Sequence, residues 1–138
     1  MHDALTKETV EAVRHHALNA TRNSYSPYSG CRVGAAAITE DGTILTGCNV
    51  ENPSFAMTLC AEATLLGTMV AGGHKSLRFI SCRLADGSHL PPCGRCRQML
   101  MELVGAQCLV DLGEAGVVEL STLYPHAYVG QGMNGARS

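Results

Sequence analysis

Cys60-Ala61-Glu62 and Pro92-Cys93-Gly94-Arg95-Cys96 are the two stretches whose reading decides the fold of this chain. Each opens a segment with helical character, one from Leu59 to Ala71, stopped by Gly72-Gly73, the other from Cys93 to Val104, with Gly105 at its exit. Cys60 and Cys93 lie 33 residues apart, which leaves room for a strand and a crossover loop, and Leu77 to Leu84 reads as a buried strand. A helix N-terminus carries a partial positive charge and lowers the pKa of a cysteine placed there. Two such helix starts side by side present three thiolates to one zinc ion. The fourth tetrahedral position then stays open to water, as it does in catalytic zinc sites.

Outward from these motifs, Thr6 to Arg22 has Val10, Val13 and Ala17 at helical spacing, and Asn23 to Gly30 is a loop kept from helix by Pro27. Cys31 to Thr39 and Thr43 to Cys48 read as hairpin strands around the turn Glu40-Asp41-Gly42. Asn49 to Thr58 is a second loop, interrupted by Pro53. Beyond the second motif, Gln107 to Asp111 and Val117 to Leu120 are two short strands. This order predicts an α/β fold, a central mixed sheet of five strands with helices packed on its faces. Residues 1–129 form one expected domain, and residues 130–138, with little apolar content, an expected frayed tail.

The chain has 138 residues, 46% of them apolar, enough for a single core. Its net charge is −2, and of its ten basic residues only Arg95 and Arg97 crowd together. With no basic stripe and few aromatics to stack on bases, the expected partner is a small molecule and not a nucleic acid. The opening Met1-His2-Asp3-Ala4 lacks the character of a secretory signal, and no apolar run is long enough to span a bilayer. Seven cysteines, an odd number, suit thiols or metal ligands in a reducing compartment, so a cytoplasmic location is expected.

Cys-x-x-Cys by itself fits a structural zinc pair, a redox pair or two core thiols. A structural zinc ribbon needs a second pair, which none of Cys31, Cys48, Cys82 and Cys108 supplies. A redox pair is expected after a strand near the start of its fold, whereas this one follows Pro91-Pro92 late in the chain. The discriminating feature is Cys60-Ala61-Glu62 at a second helix start. A glutamate two residues from a ligand lies beside the metal without binding it, placed to move protons.

Read together, these residues resemble the small homo-oligomeric cytidine deaminases, from about Ser24 to Tyr128. The matching stretches are Tyr25-Ser-Pro-Tyr-Ser29, Val33-Gly-Ala-Ala36, Gly47-Cys-Asn-Val-Glu-Asn52, Thr58-Leu-Cys-Ala-Glu62 and Pro92-Cys-Gly-Arg-Cys-Arg-Gln98. A Cys or His with Glu two residues on, followed by Pro-Cys-x-x-Cys, marks zinc nucleobase deaminases. The resemblance implies a three-layer α/β/α sandwich and a homotetramer with active sites near subunit boundaries. It implies one zinc per subunit, held by Cys60, Cys93 and Cys96, with Glu62 as proton shuttle and the Ala61 backbone against the pyrimidine. It places Asn49 and Glu51 on the ribose hydroxyls; their period of two puts both on one face of an extended segment. The implied activity is hydrolysis of cytidine or deoxycytidine to the uridine product and ammonia, in pyrimidine salvage.

Departures from the family pattern accompany this. Cys31 stands where an aromatic usually packs on the nucleoside, and Ala63 where many members carry a thiolate-bonding arginine. Arg97, assisted by Arg95, is then expected to offset the excess charge of three thiolates. Leu123-Tyr-Pro-His-Ala-Tyr128 resembles a stretch whose final aromatic reaches a neighbouring subunit's pocket, which makes Tyr128 a candidate wall residue beside Phe55. Ala63-Thr-Leu-Leu-Gly-Thr68 leans towards a blasticidin-type aminonucleoside deaminase, the alternative on the same zinc scaffold. A nucleic-acid editor and a non-catalytic zinc scaffold complete the alternatives.

Overall fold

All seven residues of strand β1 (Val33–Thr39) are buried in the computed structural model, which describes residues 5–130. A strand that alternates its side chains between two faces is buried throughout only when both faces are covered. Ala36 and Ile38 pack with Val13 and Ala17 of helix α1 (Lys7–Ala20) and with Phe79. Val33, Ala35 and Ala37 face the other way, towards Leu65, Leu66 and Met69 of helix α2 (Ala61–Ala71). Leu100 of helix α3 (Gly94–Leu103) joins that second core. The expected α/β/α layering follows from this one strand.

Strand β1 pairs antiparallel with β2 (Ile44–Cys48), from Gly34 opposite Cys48 to Ile38 opposite Ile44, which gives the predicted hairpin. It also pairs antiparallel with β3 (Leu77–Leu84) on its other edge. Strand β3 runs parallel to β4 (Leu109–Asp111), with α3 as the crossover, and β5 (Val117–Glu119) closes the sheet antiparallel to β4. The strand order is β2-β1-β3-β4-β5, a five-stranded mixed sheet.

Two glycines let the helices sit directly on the hairpin. A Cβ at Gly34 would meet Ala17 O at 2.1 Å, and one at Gly47 would meet Ala61 O at 2.5 Å and Leu65 N at 2.6 Å. The second contact fixes where α2 begins, and therefore where Cys60 stands. Thr64 adds to it, accepting from Cys48 N at 3.0 Å and donating to Cys48 O at 2.8 Å.

Some boundaries differ from expectation. Strand β1 starts at Val33 and not Cys31, because Cys31 N donates to Ser29 Oγ and Cys31 O accepts from Asn49 Nδ2, so side chains occupy its ladder groups. Leu120, read as strand, opens a short helix α4 (Leu120–Leu123), where it is fully buried under the second core. Apart from Gly130, the expected tail lies outside the described residues. No helix among the described residues is long and apolar enough to cross a membrane.

The α1 face carries a buried ion network that sequence reasoning missed. Asp111, with its side chain fully buried, accepts from Arg14 Nε and Nη2 at 2.9 and 2.8 Å, from Ser81 Oγ at 2.7 Å and from Gly113 N at 2.9 Å. Arg83 Nη2 adds a contact at 2.6 Å. Burial by itself raises a carboxyl pKa, but these donors outweigh it and hold Asp111 at about 2, against an ordinary 3.8. The depressed value contributes about 2 kcal/mol of stability, fully present above about pH 4 and lost as the pH falls towards 2. Asp111→Asn leaves two arginines short of their counter-charge, so urea unfolding is expected to show a loss of about 3–5 kcal/mol and a flatter acid limb.

Candidate metal centre and active site

Cys60 and Cys93 occupy equivalent places, each the N-cap of its helix in extended conformation (φ −70°, ψ 158° and φ −69°, ψ 171°). Neither helix start has a side-chain cap, so their first backbone N–H groups carry their partial charge into the space between them. Cys96 lies in the first turn of α3 and is fully buried. The Cys60 and Cys93 sulfurs are 3.9 Å apart, and all three sulfurs lie within 4.8 Å of one another. Tetrahedral zinc with Zn–S bonds of about 2.3 Å spaces its sulfurs by about 3.8 Å, so the triangle fits that ion with slight contraction.

The protonation tendencies agree. Burial pushes the Cys60 and Cys96 thiols up, and the negative charge of neighbouring groups pushes them further. Cys93 feels the same burial, but the Cys96 backbone N–H and the adjoining thiols outweigh it and leave its pKa lowered. Three crowded sulfurs at helix N-termini disfavour sharing negative charge among themselves, a conflict that a dication resolves. Three soft donors with no fourth protein sulfur suit zinc with one position free.

Glu62, one residue into α2, is 5% exposed despite its charge. Desolvation raises its carboxyl pKa, partly offset by hydrogen bonds from its own backbone and from the Cys82 and Cys96 thiols. Cys82 was not anticipated here; strand alternation places it beside Ile80 on the α2–α3 side of β3, a signal present in the sequence but unspecific. A cavity of about 180 Å³ opens over the cluster, lined by Val33, Cys60, Ala61, Glu62, Leu90, Pro91 and Cys93. Leu90 and Pro91 are lining residues that no motif had marked.

The segment leading to Cys60 is a small ladder around Val50. Val50 N and O pair with Leu59 O and N at 2.9 Å each, Tyr25 N donates to Asn49 O at 3.1 Å, and Glu51 N donates to Tyr25 O at 2.8 Å. Asn49 is buried, its Oδ1 accepting from Ser24 Oγ at 2.5 Å and Val33 N at 3.0 Å while Nδ2 donates to Cys31 O at 2.8 Å. Glu51 accepts from Tyr28 N and Ser29 N at 3.0 and 3.1 Å and from the Ser29 hydroxyl, which draws its pKa down. A second cavity of about 420 Å³ is lined by Tyr28, Ser29, Glu51, Asn52, Phe55 and Thr58.

Cys31 and Tyr128 line neither cavity; Cys31 is exposed, and Tyr128 is 69% exposed with its carbonyl held by Gln98. Phe55, at 84%, is more exposed still. Arg97 donates Nε to Pro92 O at 2.9 Å and Nη1 to Leu123 O at 2.8 Å, and Arg95 Nη1 reaches Thr58 O at 3.2 Å. Both arginines therefore tie the two metal-bearing segments to their surroundings.

A mixed sheet that turns two helix N-termini towards one another, with three sulfurs and a buried glutamate between them, defines the class of zinc-dependent hydrolases built on an α/β/α sandwich. Residues 7–111 match the family described as the cytidine and deoxycytidylate deaminase zinc-binding region, and the chain belongs to that family. It is 46% identical over 99 residues to a cytidine deaminase of Mycobacterium tuberculosis, covering 72% of this chain and 74% of that protein. It is 36% identical over 122 residues to a cytidine deaminase of Halalkalibacterium halodurans, covering 86% and 92%. The crystal structure of the cytidine deaminase from Mycobacterium tuberculosis superposes with a TM-score of 0.83 at 41% identity, covering 87% of this chain and 97% of that one.

Metal analysis of the purified protein is expected to find one zinc per chain. Cys93→Ala is expected to weaken zinc binding by more than about tenfold, and Cys82→Ala to leave the stoichiometry unchanged. Equal zinc in wild type and Cys93→Ala would contradict the three-sulfur centre.

Proposed function

We propose that this chain deaminates cytidine and deoxycytidine by hydrolysis, releasing ammonia and the uridine product, as a cytoplasmic homotetramer in pyrimidine salvage. The observation that carries the reading is the triangle of Cys60, Cys93 and Cys96 with the buried Glu62 carboxyl beside it. Zinc held by these sulfurs supplies a Lewis acid that makes water nucleophilic near neutral pH.

The chain's own residues do the rest. An exocyclic amine is a poor leaving group until protonated, so attack at C4 of the pyrimidine needs a group that takes a proton from water and returns it. Glu62 is that group: it takes one proton from water and delivers it to the ring nitrogen, then takes a second from the new C4 hydroxyl and delivers it to the departing amine, and burial steadies its protonated form between the two transfers. The first turn of α2 offers the Ala61 backbone to the pyrimidine, beside the cavity that Leu90 and Pro91 line. Glu51 lines the second cavity and takes the ribose hydroxyls. Asn49 spends its oxygen on Ser24 and Val33 and keeps one amide hydrogen for the sugar. A site built this way disfavours free cytosine, which would leave those groups unpaired.

Arg97 brings its positive charge next to Cys96 and, through Pro92 O, to the residue before Cys93, which offsets part of the thiolate charge that Ala63 leaves uncompensated. Tyr25, Tyr28, Phe55, Met57 and Tyr128 expose large apolar surfaces, an arrangement that marks an interaction surface. Packing of identical copies covers them and makes Phe55 and Tyr128 pocket walls, with Cys31 at the rim in place of an aromatic. The unpaired state of all seven cysteines accords with a reducing cytoplasm.

Loss of ultraviolet absorbance with cytidine and deoxycytidine tests the activity. Glu62→Gln is expected to lower kcat by about a thousandfold or more with zinc retained. Turnover of blasticidin S alone, or stoichiometric zinc with no deamination of any nucleoside, would overturn the reading. Arg97→Ala is expected to lower both zinc affinity and turnover; wild-type values for both would remove Arg97 from the site.

A further inference from the structure

Gln98 follows the last sulfur ligand by two residues, and both ends of its amide are engaged. Nε2 donates to Tyr128 O at 3.0 Å, and Oε1 accepts from the Tyr124 hydroxyl. Arg97, its neighbour, holds Leu123 O at 2.8 Å. The chain between these anchors contains His126 at φ +54°, the only positive-φ residue other than glycine among the described residues. A side chain in that region is strained and persists only where the surroundings over-determine the backbone. Here two adjacent side chains of α3 grip the segment at Leu123, Tyr124 and Tyr128. Few residues can replace Gln98: one end must accept a hydroxyl proton while the other donates to a carbonyl. Asn is a methylene shorter, Glu lacks the donor and Met lacks both.

We infer that Gln98, together with Tyr124, is a positioning residue that locks the segment 123–128 onto the metal-bearing helix, so that the exposed ring of Tyr128 is displayed in fixed register with Cys96. The inference rests on the reading of Tyr128 as a wall of the nucleoside pocket in the assembled enzyme. One helix thereby carries a zinc ligand at Cys96 and, a half-turn later, the support of that wall. Loss of the clamp frees Tyr128 without touching the sulfurs or Glu62, so the defect falls on substrate binding and not on the chemical step.

Gln98→Met and Tyr124→Phe, in the full chain with zinc bound, test this through steady-state kinetics on cytidine, metal content and backbone amide exchange. Both are expected to keep one zinc and a kcat within about twofold of wild type, and to raise KM by about fivefold, the loss of roughly one hydrogen bond. Amide exchange over residues 123–129 is expected to quicken by about tenfold. Wild-type KM and exchange in both variants would overturn the clamp, as would lost zinc or a fall in kcat at constant KM, which would put Gln98 to work on the metal. Should Gln98→Met fail to fold, Tyr124→Phe decides, since it removes one hydroxyl only. Absence of nucleoside turnover in the wild type would overturn the functional reading instead, and the exchange measurement would still decide the clamp.

Discussion

The close contact of helix α2 with the hairpin at Gly47 is the constraint on which the site depends. With only 2.5 Å between Ala61 O and the place where a Cβ would stand, the first turn of the helix has one seat on the sheet. Thr64 fastens it there by bonding both the N–H and the carbonyl of Cys48. Cys60 and Glu62 belong to that first turn, so backbone packing, and no flexible side chain, sets where a sulfur of the cluster and a buried carboxyl stand. The parallel crossover from β3 through α3 to β4 brings the second helix start to the same point.

The two faces of the sheet handle buried charge in different ways. On the α1 face, Asp111 is satisfied by Arg14, Arg83, Ser81 and Gly113 N, and its pKa falls. On the α2–α3 face, Glu62 and Cys96 are buried and desolvation dominates. The first arrangement ties helix to sheet. The second leaves the stored cost of desolvation to be relieved by an ion, which is how a pre-formed cluster acquires affinity for a dication.

Departures from the family pattern are read in the same terms. Ala63 puts no charge at the start of α2, and Arg97 bonds two carbonyls, Pro92 O and Leu123 O. Its guanidinium is thus fixed by two hydrogen bonds to the backbone. Cys31 is exposed, as are the rings around the larger cavity, Tyr28 and Phe55.

By itself the sequence determined which residues gather at the cluster: Cys60, Glu62, Cys93 and Cys96 were legible because helix starts and short spacings are local, and local geometry is nearly independent of the rest of the fold. The order of elements was legible for the same reason, with apolar periodicity marking each one. Tertiary structure alone decided the partners of Asp111, since Arg14 lies 97 residues away and nothing local marks either as buried. It decided that Leu120 turns into helix, because a fully buried apolar residue after a strand reads as more strand until the core beneath it is known. It decided, too, that Asn49 is half consumed by its own loop and that Gln98 grips Tyr124 and Tyr128. Hydrogen bonds between distant segments depend on register and approach, which residue spacing does not encode.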